Sequence, residues 1–112
     1  MSDDMIHIVL FKFDLEKLAA EFPGDELQKA AKHLEKVVPG LINISLTPRR
    51  LPKGGNANNN SGYNYILISR HDDLAALKVY ADHIDHKAFQ DRIRKCFLAP
   101  PLRVDININA KL

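Results

Sequence analysis

A chain of 112 residues, 46% apolar and 27% charged, has room for one packed domain, and its formal net charge of +2 is too small to mark a nucleic-acid binder. A single cysteine, Cys96, excludes an internal disulfide and suits a reducing compartment. The acidic opening MSDD and the lack of a long apolar run argue against a signal peptide and a membrane span, so the expected setting is the cytoplasm.

MIHIVLFKF, residues 5–13, is too short and too rich in branched and aromatic side chains for a helix and predicts a strand. Alternation sets His7, Val9, Phe11 and Phe13 on one face and Ile6, Ile8, Leu10 and Lys12 on the other. DLEKLAAEFPG allows a helical turn that Pro23 and Gly24 end. From Asp25, the apolar positions Leu27, Ala30, Ala31, Leu34, Val37 and Val38 recur at spacings of three and four, which predicts an amphipathic helix. Asp25 and Gln28 are spaced like a capping box, and Pro39-Gly40 closes the helix.

LINISLTP, 41–48, alternates Ile42, Ile44 and Leu46 against Asn43, Ser45 and Thr47, a second strand. Three glycines and four asparagines between 54 and 62 predict a long, mobile loop. YNYILISR, 63–70, predicts the third strand. Asp72 or Asp73 is placed to cap a helix carrying Leu74, Leu77 and Ala81. A second helix follows through Phe89, Ile93 and Phe97, with Cys96 buried in the same pattern, until Pro100 and Pro101 stop it. RVDININ, 103–109, alternates Val104, Ile106 and Ile108 against Arg103, Asp105, Asn107 and Asn109, the fourth strand.

The order β-α-β-β-α-β predicts a single α+β domain of ferredoxin-like fold, an antiparallel four-stranded sheet with its helices on one face. Both faces of the first and third strands are apolar, so the uncovered sheet face would meet water. A homodimer stacking those faces removes the problem, and self-association is therefore expected.

The chemistry-bearing residues gather in VYADHIDHKAF, 79–89. His83 and His86 with Asp82 and Asp85 give two imidazoles at helical spacing, short of the three or four ligands a zinc site needs, so no metal is expected. Arg49, Arg50 and Lys53 form a short basic cluster without interleaved aromatics and read as a solvated strand end, with no nucleic-acid or membrane partner implied. No glycine-rich phosphate loop or nucleophile motif appears, and no cofactor is expected.

Four segments, IHIVLFKF, VPGLINISL, YADHIDHKAF and RVDI, span residues 6–106 and together resemble the stress-responsive A/B barrel family. The resemblance implies a ferredoxin-like protomer and a dimeric α+β barrel. It also implies the cofactor-free cyclisation chemistry of some relatives, in which His7, Tyr80, His86 and Asp105 would line a pocket between sheet and helices. Tyr65 stands where cyclase relatives carry a further His, and Ile84 where a Pro commonly follows the first junction His.

A carboxylate such as Asp105 on one nitrogen of His86 would fix its tautomer and make the other nitrogen a base for a proton beside a carbonyl; Tyr80 or His7 would then stabilise the oxyanion. Val9, Phe11, Tyr63 and Tyr65 are expected in the pocket wall, with His83 capping the junction beside it. The plainer alternatives are a helix-capping His86 with a solvated Asp105, a packed Tyr80 and a hydrogen-bonded core His7. The expectation is a pocket for a small apolar or carbonyl-containing molecule with cyclase or isomerase chemistry. The alternative is a ligand-binding or stress-related structural protein without catalysis.

Overall fold

In the computed structural model, residues 4–50 and 62–107 are described, and the branched opening run forms β1, Met5–Phe11. The chain continues through α1 (Leu15–Glu21), α2 (Glu26–Val37), β2 (Leu41–Pro48), β3 (Tyr65–His71), α3 (Leu74–Asp82), α4 (Ile84–Arg94) and β4 (Leu102–Asn107). The strands form one antiparallel sheet in the order β2-β3-β1-β4, the predicted ferredoxin-like topology. Val9, Phe11, Ile44, Leu46 and Leu67 from one sheet face are buried with Leu27, Ala31 and Leu34 of α2 and Phe89 and Ile93 of α4. Among the described residues no helix is long and apolar enough to cross a membrane.

Several boundaries differ from the sequence reading, each for a local reason. β1 stops at Phe11 because the Asn64 side chain takes over the pairing at Phe13, accepting from its N–H and donating to its carbonyl, both at 2.9 Å. Asp25 forms no capping bond, so the expected capping box is absent; its carboxylate instead meets Lys29 at 3.3 Å. Asp14 does cap, accepting from the N–H groups of Glu16 and Lys17 and making α1 a true helix. The alternation in β2 breaks at a bulge between Leu41 and Asn43. Ile42 is thereby turned outward while Leu41 and Ile44 both face the core, and the Glu35 carboxylate of α2 accepts from the Ile44 N–H at 2.6 Å.

Asp73 rather than Asp72 caps α3, accepting from the Ala76 N–H at 2.8 Å. Leu74, expected on the apolar stripe, sits in the exposed first turn; the buried stripe is Ala76 and Tyr80. α4 ends at Arg94, earlier than expected, because the Cys96 carbonyl accepts from the Asp14 N–H and the Leu98 N–H donates to the Lys12 carbonyl. Cys96 is buried in that turn, and desolvation raises the pKa of its thiol. Most of the asparagine-rich loop and the predicted end of β4 at Ile108 and Asn109 lie outside the described residues.

The α2–β2 connection turns at Gly40, whose φ of +80° favours glycine. A Cβ there would stand 2.6 Å from the Ala76 Cβ, and the Gly40 carbonyl accepts from the Asp72 N–H at 2.9 Å. The turn is therefore packed closely against Ala76 of α3 and hydrogen-bonded to the segment leading into that helix.

On the opposite sheet face the registers align Ile8 with Ile68 and Val104, and Leu10 with Ile66 and Leu102. Ile68 is 43% exposed and Val104 55% exposed in the protomer. Among the described residues this apolar face has no covering layer.

Candidate active site

Strand register builds the first half of the site. His7 lies directly across from Asp105 on β4, so both side chains emerge on the helix side, and their Nδ1 and Oδ1 atoms are 2.5 Å apart. His7 is mostly enclosed, while the Asp105 side chain is about half exposed. On the other side of β1, Ser69 and His71 of β3 point the same way, two residues apart. Both are fully buried, with Ser69 Oγ and His71 Nε2 at 2.8 Å, and His71 Nδ1 is a buried nitrogen without a hydrogen-bond partner among the described residues.

The helix junction builds the second half. His83 adopts an extended conformation between α3 and α4, and its Nδ1 accepts from the Asp85 N–H at 3.1 Å, capping α4 as expected. That break folds His86 back over Tyr80, their rings 3.9 Å apart. The Tyr80 ring is also 4.8 Å from His71 and 6.0 Å from His7. His86 donates a long bond, 3.4 Å, from Nδ1 to the Ala81 carbonyl. The Tyr80 hydroxyl makes no protein hydrogen bond among the described residues, although the residue lines the cavity.

The rings border a cavity of 590 Å³ between sheet and helices. Its wall is largely apolar, with Val9, Phe11, Leu67, Phe89, Ile93 and Phe97, a composition suited to small organic molecules. Of the residues expected at the site, His7, Tyr80, His86, Asp105, Val9 and Phe11 converge here. Tyr65, Tyr63 and His83 do not line this cavity. Tyr65 packs edge-on against Phe13 and borders a second cavity beside Leu18, Phe22 and Leu27. Tyr63 precedes β3 and donates its hydroxyl to the Pro100 carbonyl at 2.8 Å. His83 is held by its capping bond.

The expected His86–Asp105 pair is replaced by His7–Asp105. Facing positions on neighbouring strands bring those two side chains together, whereas His86 is committed to Tyr80 and Ala81. His71, in the ring cluster, and Arg103, in the cavity wall, join the site beyond the residues expected from the sequence. Extending the alternation Tyr65, Leu67, Ser69 by one step past the expected strand end would have placed His71 on the same face. Among the described residues no group of three or more His, Cys, Asp or Glu side chains is arranged to hold a metal ion.

Burial sets the protonation of these groups. Desolvation, with a smaller contribution from nearby His7, lowers the pKa of His71 to about 4. Desolvation likewise lowers His86 to about 4, partly opposed by its bond to Ala81. Tyr80 is pushed well above the ordinary phenol value by burial and stays a hydrogen-bond donor throughout the neutral range.

Both histidines are thus neutral at pH 7. Between pH 6.5 and about 4 the unfolded chain takes up protons on them that the folded chain does not. Stability is therefore full above pH 6.5 and declines as pH falls toward 4. The loss is on the order of 2 kcal/mol per ring, after allowing for water at the cavity mouth. Urea melts across this range should show the decline, and His71→Phe should make it shallower. An unchanged slope in that variant would refute the assignment of His71.

A family model described as the stress responsive A/B barrel domain matches residues 5–107. The chain belongs to this family. This A/B barrel domain is similar in fold to a dimeric protein of unknown function from Bacteroides fragilis, with 23% identity, a TM-score of 0.72, and 95% of this chain and 97% of that chain covered. It is also similar to a dimeric ferredoxin-like protein from Jannaschia, with 22% identity, a TM-score of 0.74, and 94% and 99% covered. A third likeness is to SnoaB, a cofactor-independent oxygenase from Streptomyces nogalater, with 14% identity, a TM-score of 0.69, and 99% and 98% covered. At such identities the A/B barrel domain shares a fold with these proteins. No curated protein matches its sequence.

Proposed function

We propose that this A/B barrel protein is a homodimer whose cavity binds a small organic carbonyl compound, with His7 as a base oriented by Asp105. The observation that carries the reading is the 2.5 Å contact between His7 Nδ1 and Asp105 at the cavity wall. A carboxylate there holds the proton on Nδ1, leaves Nε2 as the acceptor, and balances the charge when Nε2 takes a proton. A proton beside the ligand's carbonyl passes to His7, and the electron pair moves onto the carbonyl oxygen. Tyr80, protonated and without a hydrogen-bond partner among the described residues, donates to that oxyanion. Either the enolate carbon then attacks a second carbonyl of the same molecule, closing a ring as the new alkoxide takes the proton held by His7, or the enolate takes that proton back at another carbon, moving a double bond.

Neutral His86 positions the Tyr80 ring and offers Nε2 to the ligand as an acceptor. The cofactor-independent oxygenase on a similar fold supports chemistry carried by side chains. The dimeric state of two similar proteins and the apolar outer sheet face support the homodimer. The single buried thiol fits a cytoplasmic setting.

The test is ¹⁵N NMR of the imidazoles at pH 8. The expected result is a His7 ring protonated at Nδ1, reverting toward the Nε2–H form common in water when Asp105 is replaced by Ala. A wild-type His7 already protonated at Nε2 would remove the base from the reading. The largely apolar wall favours, as the second reading, a binding protein without turnover, recognised by a ligand-dependent rise in Tm with no product.

A further inference from the structure

β4 presents two charged side chains at the cavity, Arg103 and Asp105, two residues apart on one face of the strand. Asp105 is occupied by His7. Arg103 has no hydrogen bond or ion pair among the described residues, although it lines the same space. Arg94, the last residue of α4, lines it too, and among the described residues its guanidinium is held only by a loose 3.4 Å contact to exposed Asp91. An apolar chamber thus carries two guanidinium groups at its border, against one carboxylate already engaged.

We infer that the cavity selects molecules bearing a carboxylate on an apolar, ring-sized body, with Arg103 as the residue that binds the carboxylate. A guanidinium presents paired N–H donors in the plane that a carboxylate accepts, and such charge-assisted pairs are stronger than neutral ones. A single unengaged guanidinium beside Asp105 suits a monoanion, whereas a phosphate dianion would call for more donors. The Arg103 charge is also felt at His86, where it contributes to keeping that ring neutral, so its field reaches the ring cluster. This inference rests on the reading of the cavity as a small-molecule site and is independent of turnover.

The test is calorimetric titration of the wild-type protein and Arg103→Gln with 2-naphthoate and with its uncharged counterpart, 2-naphthamide. NMR shifts of the His7 and Phe97 rings report whether binding is in the cavity. The expected result is that the wild type binds the acid about tenfold or more tightly than the amide. That preference should weaken with added salt and disappear in Arg103→Gln, while amide binding is unchanged. Equal affinity for acid and amide in the wild type would overturn the carboxylate preference yet leave the cavity a ligand site. A parallel loss of both ligands in Arg103→Gln would show a structural role for Arg103 and overturn the inference. Binding of neither ligand at millimolar concentration would overturn it together with the small-molecule reading.

Discussion

Glutamate at both Ile68 and Val104 should convert the protein from dimer to monomer at micromolar concentration while leaving the protomer folded. These residues flank Ile8 across the centre of the outer sheet face. They are about half exposed in a single chain, so the substitutions ask little of the protomer itself. In a two-fold dimer each substitution appears twice, placing four carboxylates in a largely apolar contact where Arg70, on the same face of β3 as Ile68, is already paired with Asp4. Burying an unpaired charge costs several kcal/mol, so dissociation should strengthen by about a thousandfold or more. Light scattering should give twice the protomer mass for the wild type and one protomer mass for the variant, with the same circular dichroism. A monomeric wild type would mean that the outer face is covered in some other way.

That face is legible in the sequence, because a two-layer fold cannot cover both sides of a strand such as IHIVLF. Element order was equally plain from the switch between alternating and three-four spacing. What failed were details that depend on a single cross-chain bond. The capping box at Asp25 and Gln28 has the right spacing but forms no bond, while the bulge in β2 depends on Glu35 reaching Ile44 from another element. The site shows the same division. Tyr80, His86, His7 and Asp105 are legible as one group, but pairing Asp105 with His7 rather than with His86 requires knowing which residue of β1 lies across from it on β4. Register settles that question, and periodicity within one segment carries no register. Tyr63 and Tyr65 share a strand alternation in the sequence, yet in the structure only Tyr65 belongs to β3.

The second large effect concerns the base. With a carbonyl substrate in hand, Asp105→Asn should lower kcat by about a hundredfold to ten-thousandfold, and His7→Gln by at least as much. An asparagine is nearly the same size and can still donate or accept a bond. It cannot balance the charge that forms on His7 when the proton moves. The loss should therefore fall on kcat, with KM little changed, because the ground-state ligand has not yet placed a charge on the ring. Tyr80→Phe should also reduce kcat, since it removes the donor but keeps the packing against His86 and His71. A large rise in KM with kcat preserved in Asp105→Asn would instead make the pair a binding device. Full activity in both the His7 and Asp105 variants would exclude it from the chemistry altogether.

Gly40 and Ala76 bring a further consequence at a distance from the cavity. Ala76 lies one helical turn before Tyr80 on the same side of α3, so the closeness of its backbone to the Gly40 turn helps set how far the Tyr80 ring reaches over the sheet. The two small residues leave the turn and the helix no spare room, since a Cβ at position 40 would stand 2.6 Å from the Ala76 Cβ. Relief of that clash has to move the turn or α3, and α3 carries Tyr80, whose ring lies 4.8 Å from His71 and 6.0 Å from His7. The ring cluster can thus be disturbed from a contact outside the cavity wall, with every group in it unchanged.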